Sequence, residues 1–434
     1  MNNLKILLNY TPNGKSHTLA DYLQRGGYNT LKEYLPRVKP DEIVAEVKTS
    51  GIRGRGGAGF PAGLKWSFLA KDTGKPIYLI CNADEGEPGT FKDRIIMEEN
   101  PHLLLEGIII TAYAINAAHA YIYIRGEYAF AAQRVQVAID EAYQAGYLGK
   151  KLPGTEYETN ITIHRGAGAY VVGDETGLMN SIEGKKGFTR IKPPFPAVAG
   201  LYGCPTIINN VETLASIPHI VTHGGTKYKA LGTQQSSGTK LFSVSGHIRK
   251  PGVYEVIMGY PFRDFLNNEC GGIIDGRQLK AVIPGGSSTP VLRPEDVTDM
   301  TLDYESIEKA GSSLGSGGMI ILAEGTCMVK LLEVLIRFYH HESCGQCTPC
   351  REGTGWLYKI ISRIEAGKGQ LDDVDELLRI SKFISGYTVC PLGDAACGPI
   401  NSFVEKFRDE FIEHIEKQSC PFGGKFIPFQ EIVN

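Results

Sequence analysis

Between Ser343 and Arg351 the chain reads S-C-G-Q-C-T-P-C-R. Cys344, Cys347 and Cys350 stand at i, i+3 and i+6, and Cys390 follows forty residues later with Pro391 behind it. Three thiolates two residues apart can each reach a different iron of a cubane, and a distant fourth cysteine closes such a site when the fold returns it. The spacing predicts an iron-sulfur cluster and therefore redox chemistry. Structural zinc is the alternative, but its sites usually pair one C-x2-C with a second hook instead of running three ligands in one series. Gly345, Thr348 and Pro349 make the run turn-rich, unlike an apolar core stripe, and leave backbone N–H groups to face sulfur.

Three loops offer groups suited to a nucleotide. Residues 51–65, G-I-R-G-R-G-G-A-G-F-P-A-G-L-K, contain G-x-G-x-x-G from Gly54 to Gly59. A dinucleotide fingerprint needs a strand directly before it, whereas a helix is predicted here over Asp41–Lys48, so the standard Rossmann reading is rejected. The physical content remains: six glycines in thirteen residues let N–H groups converge on an anion, with Arg53, Arg55 and Lys65 supplying positive charge. A flexible hinge is the plainer reading. Residues 81–94, C-N-A-D-E-G-E-P-G-T-F-K-D-R, follow a predicted strand and put Asn82, Asp84, Glu85 and Glu87 at its carboxyl end, where open α/β sheets bind ligands. Carboxylates there accept hydrogen bonds from ribose or ribityl hydroxyls; a solvated acidic turn is the alternative.

Residues 165–178, R-G-A-G-A-Y-V-V-G-D-E-T-G-L, lead into a helix whose first turn carries Asp174, Glu175 and Thr176, so simple capping competes with ligand binding. Phe195 sits in the proline-stiffened stretch Ile191–Pro196 beside Lys192, a stacking platform. Asn209, Asn210, Glu212 and Thr213 read as a polar turn after Ile207 and Ile208. No Ser/His/Asp or Cys/His dyad is present, and the ten histidines, His340 and His341 included, show no metal spacing with carboxylates and read as surface or core residues. An anion cradle, hydroxyl-reading acids, stacking rings and a cluster together suit hydride chemistry on a flavin, which needs no protein general base.

The elements that must position these residues follow from periodicity. Strands at Ile77–Cys81, Tyr121–Ile124 and Ile161–His164 alternate with helices at Pro101–Ala118 and Tyr128–Ala145, which predicts a mostly parallel α/β sheet. A hairpin at Lys240–Ser245 and Val253–Met258, a short helix at Pro261–Asn268 and a strand at Lys280–Ile283 make a ββαβ unit of ubiquitin-like, β-grasp pattern. Glycine and serine crowd Gly311–Gly318, and helical periods dominate afterwards. Four pieces are expected: an N-terminal segment with the glycine loop over 1–62, an α/β domain over 63–230, the β-grasp unit over 231–325, and a helical, cluster-bearing domain over 326–434. The class is thus multidomain α/β, with a Rossmann-like domain, a β-grasp domain and a helical bundle. A net charge of −3 offers no basic face for nucleic acid, and Thr326–Tyr339, broken by Lys330, Glu333 and Arg337, is too short and charged to span a bilayer. No export signal is visible. Ten cysteines in 434 residues are no disulfide scaffold, and those outside the cluster (Cys81, Cys204, Cys270, Cys327, Cys397, Cys420) are scattered, as in a protein of the reducing cytosol.

Read in order, G-R-G-G-A-G-F-P-A-G-L-K-W, N-A-D-E-G-E-P-G, G-A-Y-V-V-G-D-E-T, K-P-P-F-P, I-N-N-V-E-T and E-S-C-G-Q-C-T-P-C-R-E-G closely resemble the NADH-binding flavoprotein (F-type) subunits of respiratory NADH:quinone oxidoreductase, complex I, over about residues 25 to 410. The resemblance implies non-covalent FMN, NADH stacked on it, and a [4Fe-4S] cluster that takes electrons singly. It places Gly54, Arg55, Gly57, Lys65, Asn82, Asp84, Tyr170, Gly173, Asp174, Asn209, Asn210 and Thr213 around FMN. Gly57, Phe60, Phe68, Glu87, Glu175, Lys192 and Phe195 would face NADH, and Cys344, Cys347, Cys350 and Cys390 would ligate the cluster, with Cys397 a bystander. It also implies a thioredoxin-like [2Fe-2S] subunit and a large iron-sulfur subunit as partners, with membrane contact only through them, on the cytoplasmic side of the inner membrane.

One departure is local. The family usually reads Gly-Glu-Glu-Thr where this chain has Gly173, Asp174, Glu175 and Thr176. The missing methylene draws that carboxylate back by roughly 1.5 Å, enough to exchange a direct hydrogen bond for a water-bridged one and so to loosen discrimination against NADPH. Two other readings compete. The diaphorase subunit of an NAD-dependent hydrogenase or formate dehydrogenase shares these motifs, though many such chains add further iron-sulfur domains that are not seen here. A non-catalytic, zinc-stabilised scaffold would instead use the β-grasp unit to bind a partner.

Overall fold

The computed structural model describes residues 4–423, in two compact units. The first takes the chain up to Gly86, then Thr90–Phe242 and Val253–Gly259; the second takes Glu87–Gly89, Ser243–Gly252 and the chain from Tyr260 onward.

In the first unit, helix α1 (Pro40–Ser50) starts on a proline at its first turn and ends on Gly51 at φ 65°, a left-handed stop that glycine adopts without strain. It buries Ile43 and Val47, and the glycine loop then runs directly to helix α2 (Ala62–Ser67), so no strand precedes the G-x-G-x-x-G. Strands β1 (Tyr78–Ala83), β2 (His119–Ile124), β3 (Ile161–Arg165) and β4 (Thr206–Asn210) form one all-parallel sheet in the order β3-β2-β1-β4. Helices α3 (Lys92–Glu99), α4 (Pro101–Ile115), α5 (Ala129–Gln144), α6 (Glu175–Ile182) and α7 (Val211–Ala215) connect and cover it. Helix α4 is buried along nearly its whole length, as its sequence LLLEGIII requires of a helix without a polar face. At Gly107 an added Cβ would stand 2.0 Å from the Leu214 carbonyl oxygen, so glycine is what lets α4 approach the backbone at α7.

The strand order fixes where a ligand can sit. The chain lays down β1, β2 and β3 in one direction and then returns to add β4 on the other side of β1. Connections therefore diverge between β1 and β4, and open parallel sheets bind ligands in the crevice at the carboxyl ends of such a pair. Asn82 faces Asn210 and Cys81 faces Asn209 across this junction. Asn209 and Asn210, expected in a turn, are instead the last residues of β4; pairing with β1 overrides the poor strand propensity of asparagine. Helix α3 is also additional, beginning within what reads as the tail of an acidic loop. Strand β5 (Thr239–Gly246) starts in this unit, with β6 (Gly252–Ile257) beside it in the expected hairpin.

In the second unit the end of β5, Ser243–Gly246, pairs in parallel with β10 (Gly318–Ala323), and β10 pairs antiparallel with β8 (Leu279–Ile283). A two-residue pair, β7 (Tyr260–Pro261) with β9 (Thr301–Leu302), lies apart. The periodic reading misses β10, the strand between β5 and β8, because G-M-I-I-L-A is buried almost throughout and so lacks alternation. The short helix expected at Pro261–Asn268 is one α turn, Phe262–Asp264, widening into a π turn over Phe265–Glu269. Five amphipathic helices follow: α8 (Met328–Glu342), α9 (Thr348–Glu365), α10 (Leu371–Ile384), α11 (Leu392–Lys406) and α12 (Arg408–Glu416). Each buries a stripe, as with Leu357, Ile360, Ile361 and Ile364 of α9. Among the described residues no helix is long and apolar enough to cross a membrane.

Candidate functional site

In the first unit, four loops converge on the β1–β4 junction. The glycine loop reaches it through Gly56, whose Cβ position would lie 3.1 Å from Asn210 Cβ, and through α2, where Trp66 Nε1 donates to Asn209 Oδ1 at 2.8 Å. Gly57, at φ 133°, has open space where a side chain would stand, so this backbone can come close to a ligand. Gly54 N–H closes the loop on the Phe60 carbonyl at 2.8 Å. The loop after β1 joins the one after β3 where Asn82 Nδ2 donates to the Gly173 carbonyl at 2.9 Å; Asn82 Oδ1 in turn accepts from Asp84 N–H at 3.1 Å. Tyr170 packs against Gly86, where an added Cβ would meet the ring at 3.2 Å. Thr213 Oγ1 accepts the Arg55 N–H at 2.9 Å and ties the turn after β4 to the glycine loop.

The cations divide differently from the expected anion cradle. Arg55 is 0% exposed, and its guanidinium turns inward to donate to the Ser237 and Thr239 carbonyls at 2.7 and 3.0 Å. Arg53 Nε donates to the Gly59 carbonyl at 2.8 Å, stiffening the loop. Lys65 and Lys192 each hold Glu175 at 2.8 Å. Burial alone would raise the Glu175 carboxyl, but the two ammonium groups outweigh it and hold it below the usual range. Asp174 Oδ1 caps α6, accepting from Thr176 N–H at 2.9 Å, Thr176 Oγ1 at 2.5 Å and Gly177 N–H at 3.3 Å. Phe60 and Phe68, with centroids 6.1 Å apart, and Phe195, 58% exposed, are among the exposed rings of this unit. Glu87 belongs to the second unit, where its Oε1 accepts from Ser288 N–H at 2.7 Å and Ser287 Oγ at 3.4 Å.

Beneath these loops lies a buried charge set that no motif announces. Glu212 accepts from Lys92 Nζ at 2.8 Å, Lys240 Nζ at 2.7 Å and Leu241 N–H at 2.8 Å, and all three charged side chains are at most 1% exposed. Lys92 also pairs with Asp93 at 2.7 Å, and Asp93 Oδ2 accepts from Asn210 Nδ2 at 2.6 Å. The two lysines respond oppositely. Burial opposes both charges, but Asp93 and Glu212 together push Lys92 up, whereas for Lys240 burial prevails and lowers it to about 7. With one carboxylate against two, Lys240 is the one that releases its proton first. Glu212 itself is held below its ordinary value because Lys240, Lys92 and Arg55 outweigh burial.

Glu85 secures the start of α3, accepting from Asp93 N–H at 2.8 Å, Arg94 N–H at 3.1 Å and Tyr128 OH at 3.1 Å. Burial first, then the Asp93 charge, raises its carboxyl to about 7.

The second unit holds the cysteine run. Cys347 precedes α9, and Cys350 lies buried in its first turn. Val389 N–H donates to Cys347 Sγ at 3.3 Å, which brings the segment carrying Cys390 to the run; burial raises the Cys350 thiol, and the thiols of Cys390, Cys344 and Cys347 add to the rise. Cys350 Sγ also meets Ser343 Oγ at 3.1 Å. Cys397 is buried on α11 with its Sγ toward the Ser381 carbonyl at 3.4 Å. Three thiols from one turn, a fourth carried in beside them and a backbone N–H already directed at sulfur make a donor set that fits a four-iron cluster. The open Gly57 backbone, the paired asparagines and the exposed rings likewise fit a flavin and a dinucleotide.

Comparison with known proteins agrees with this division. Residues 47–219 match the family described as Nuo51 FMN-binding domain, residues 240–310 the SLBB domain, and residues 330–414 the NADH-ubiquinone oxidoreductase-F iron-sulfur binding region. The chain is 53% identical over 406 residues to an F-type subunit of NADH-quinone oxidoreductase, the second of that type, in Rhizobium meliloti (strain 1021), covering 94% of this chain and 96% of that one. It is 49% identical over 418 residues to the F-type subunit of NADH-quinone oxidoreductase in Mycobacterium tuberculosis (strain ATCC 25618 / H37Rv), covering 95% and 93%. Among solved structures, an NAD+-reducing [NiFe]-hydrogenase in the H2-reduced state superposes with a TM-score of 0.82 at 35% identity, over 95% of this chain and 67% of that one.

The raised Glu85 carboxyl has a consequence for stability. A carboxyl held protonated in the fold to about pH 7 but ionising near its ordinary value when unfolded contributes stability that is full below that ordinary value and is lost as pH rises through 7. Thermal melts between about pH 5 and about pH 8 should therefore show a loss of stability in the native chain that is reduced in Glu85→Gln.

Proposed function

The chain belongs to the family of F-type subunits of NADH-quinone oxidoreductase, and we propose that its β1–β4 junction holds FMN and its neighbouring rings hold NADH. It is an oxidoreductase subunit: it oxidises NADH by hydride transfer to FMN and passes the electrons singly to a [4Fe-4S] cluster, as the electron input of NADH:quinone oxidoreductase. The observation that carries the site assignment is the register of Asn82 against Asn210 at the one place in the parallel sheet where the strand order reverses. Gly54, Gly57, Tyr170 and Gly173 belong to the loops that meet there, Asn209 lies at the end of β4, Thr213 lies in α7 just after it, and Asp84 follows directly on β1. The Arg55 side chain serves by anchoring the loop from within, while the open backbone at Gly57 faces the ligand.

The residues then divide the work. Backbone N–H groups of the glycine loop receive the anionic end of the ligand without a side chain in the way. Asp84 accepts from its hydroxyl and amide groups, and the Asn82 carboxamide accepts or donates. Phe60, Phe68 and Phe195 offer faces for the adenine of NADH, with Lys192 and Lys65 held in place by Glu175. Cys344, Cys347, Cys350 and Cys390 hold the cluster. Glu87, which the resemblance assigns to NADH, lies in the second unit, held by Ser288 N–H and Ser287 Oγ. The partners are a thioredoxin-like [2Fe-2S] subunit and a large iron-sulfur subunit, which connect the chain to the cytoplasmic face of the inner membrane.

The likeness to the NAD+-reducing hydrogenase favours a second reading, a diaphorase subunit in a hydrogenase assembly. The higher identity to quinone oxidoreductase subunits favours the first, and the iron-sulfur proteins that copurify with the chain discriminate between them.

Two outcomes are expected. Chain purified with its neighbours should release FMN and show a cluster paramagnetic resonance signal on adding NADH. Cys390→Ser should abolish that signal and Cys397→Ser should retain it; absence of flavin, or signal loss confined to Cys397→Ser, contradicts the assignment. In the nucleotide pocket, Asp174→Glu should increase the preference for NADH over NADPH, and an unchanged ratio of kcat/KM values removes Asp174 from selectivity.

A further inference from the structure

Two of the cysteines that the sequence leaves scattered meet in the second unit, far from the cluster run along the helix that carries it. Cys327 stands at the start of α8, Glu365 at the last residue of α9, His414 near the end of α12, and Cys420 in the turn after it. Their ligand atoms all lie within 4.8 Å of one another, the one such group among the described residues. Cys327 Sγ is 3.3 Å from His414 Nε2, 3.6 Å from Glu365 Oε2 and 3.7 Å from Cys420 Sγ, and His414 Nε2 is 3.3 Å from Glu365 Oε2.

These separations are those of a small tetrahedron. With zinc–sulfur bonds of about 2.3 Å and zinc–nitrogen or zinc–oxygen bonds of about 2.05 Å, tetrahedral edges come to about 3.8 Å for sulfur to sulfur, about 3.5 Å for mixed pairs and about 3.3 Å for nitrogen to oxygen. The surroundings are those of a ligand set as well. His414 Nδ1 lies 2.6 Å from the Glu410 carbonyl and donates to it, so Nε2 is the ring nitrogen directed into the group. Lys330 N–H donates to Cys327 Sγ at 3.3 Å at the amino end of α8, which orients that sulfur. Glu410 is itself fixed, accepting from Met328 N–H at 3.1 Å and Lys280 Nζ at 2.5 Å. A hydrogen-bonded cluster needs none of this convergence of two thiols, a carboxylate and an oriented imidazole on one point.

We propose that Cys327, Glu365, His414 and Cys420 bind one structural zinc ion that joins the ends of α8, α9 and α12 to the turn after α12. Binding displaces the two thiol protons to solvent and involves no change of oxidation state, and with all four ligands supplied by protein the site is closed to substrate. Its place is structural: α9 carries Cys350 in its first turn and Glu365 at its far end, so the ion fixes the helix on which the cluster is mounted.

Elemental analysis of the purified full chain should find about one zinc per chain beside the cluster iron, and zinc-edge X-ray absorption should give two sulfurs at about 2.3 Å and two nitrogen or oxygen ligands at about 2.0–2.1 Å. His414→Ala and Cys420→Ser should each lose the zinc while retaining iron and the cluster absorbance. The native chain provides the decisive measurement even where a variant fails to fold. Absence of zinc, a zinc bound by four sulfurs as in the cluster site, a Cys327–Cys420 disulfide without metal, or undiminished zinc in both variants would each overturn the proposal.

Discussion

The first unit depends on a carboxylate held between two ammonium groups out of reach of water. Glu212 joins Lys92 at the start of α3 and Lys240 and the Leu241 backbone in β5, so one side chain ties its own segment to two others far apart in sequence. Desolvating three charges is costly, and such a set is seldom a net gain over apolar packing. Once built it is unforgiving: removing one partner leaves buried charge uncompensated, at a cost of about 3–5 kcal/mol. That sensitivity serves geometry. Asn210 and Thr213 flank Glu212 in sequence, one bonded to Asp93 and the other to the glycine loop, so fixing Glu212 fixes both.

The loops around the junction thus take their positions from bonds to the interior. Arg55 illustrates the division: its side chain grips the Ser237 and Thr239 carbonyls while its N–H meets Thr213. A glycine loop stiffened from below can present N–H groups at fixed positions, which lowers the ordering cost of binding. Glycines alone would give freedom, and it is the bonds made by Arg53 and Arg55 that convert freedom into shape.

Much of this was legible in the chain itself. Strand–helix alternation marked β1, β2 and β3, and the cysteine spacing marked the run that the fold joins to the segment carrying Cys390. What stayed hidden had physical reasons. Strand β10 is buried on both faces and so shows no alternation, and Asn209 and Asn210 look like turn residues because side-chain type says nothing about pairing with β1. The direction of the Arg55 side chain depends on carbonyls 182 and 184 residues away. Cys327 and Cys420 are 93 residues apart on separate elements, with Glu365 and His414 on two more, so no spacing motif could announce them.

The central claim is that buried charge around Glu212 sets the loops at the β1–β4 junction, the proposed FMN site, and it is tested most directly by the FMN dissociation constant of the full chain carrying Glu212→Gln. The substitution preserves side-chain shape but leaves Lys92 and Lys240 without their shared anion. FMN should bind at least about tenfold more weakly, a loss of about 1.4 kcal/mol, in a protein that still folds. Native FMN affinity in a folded Glu212→Gln chain would contradict the account.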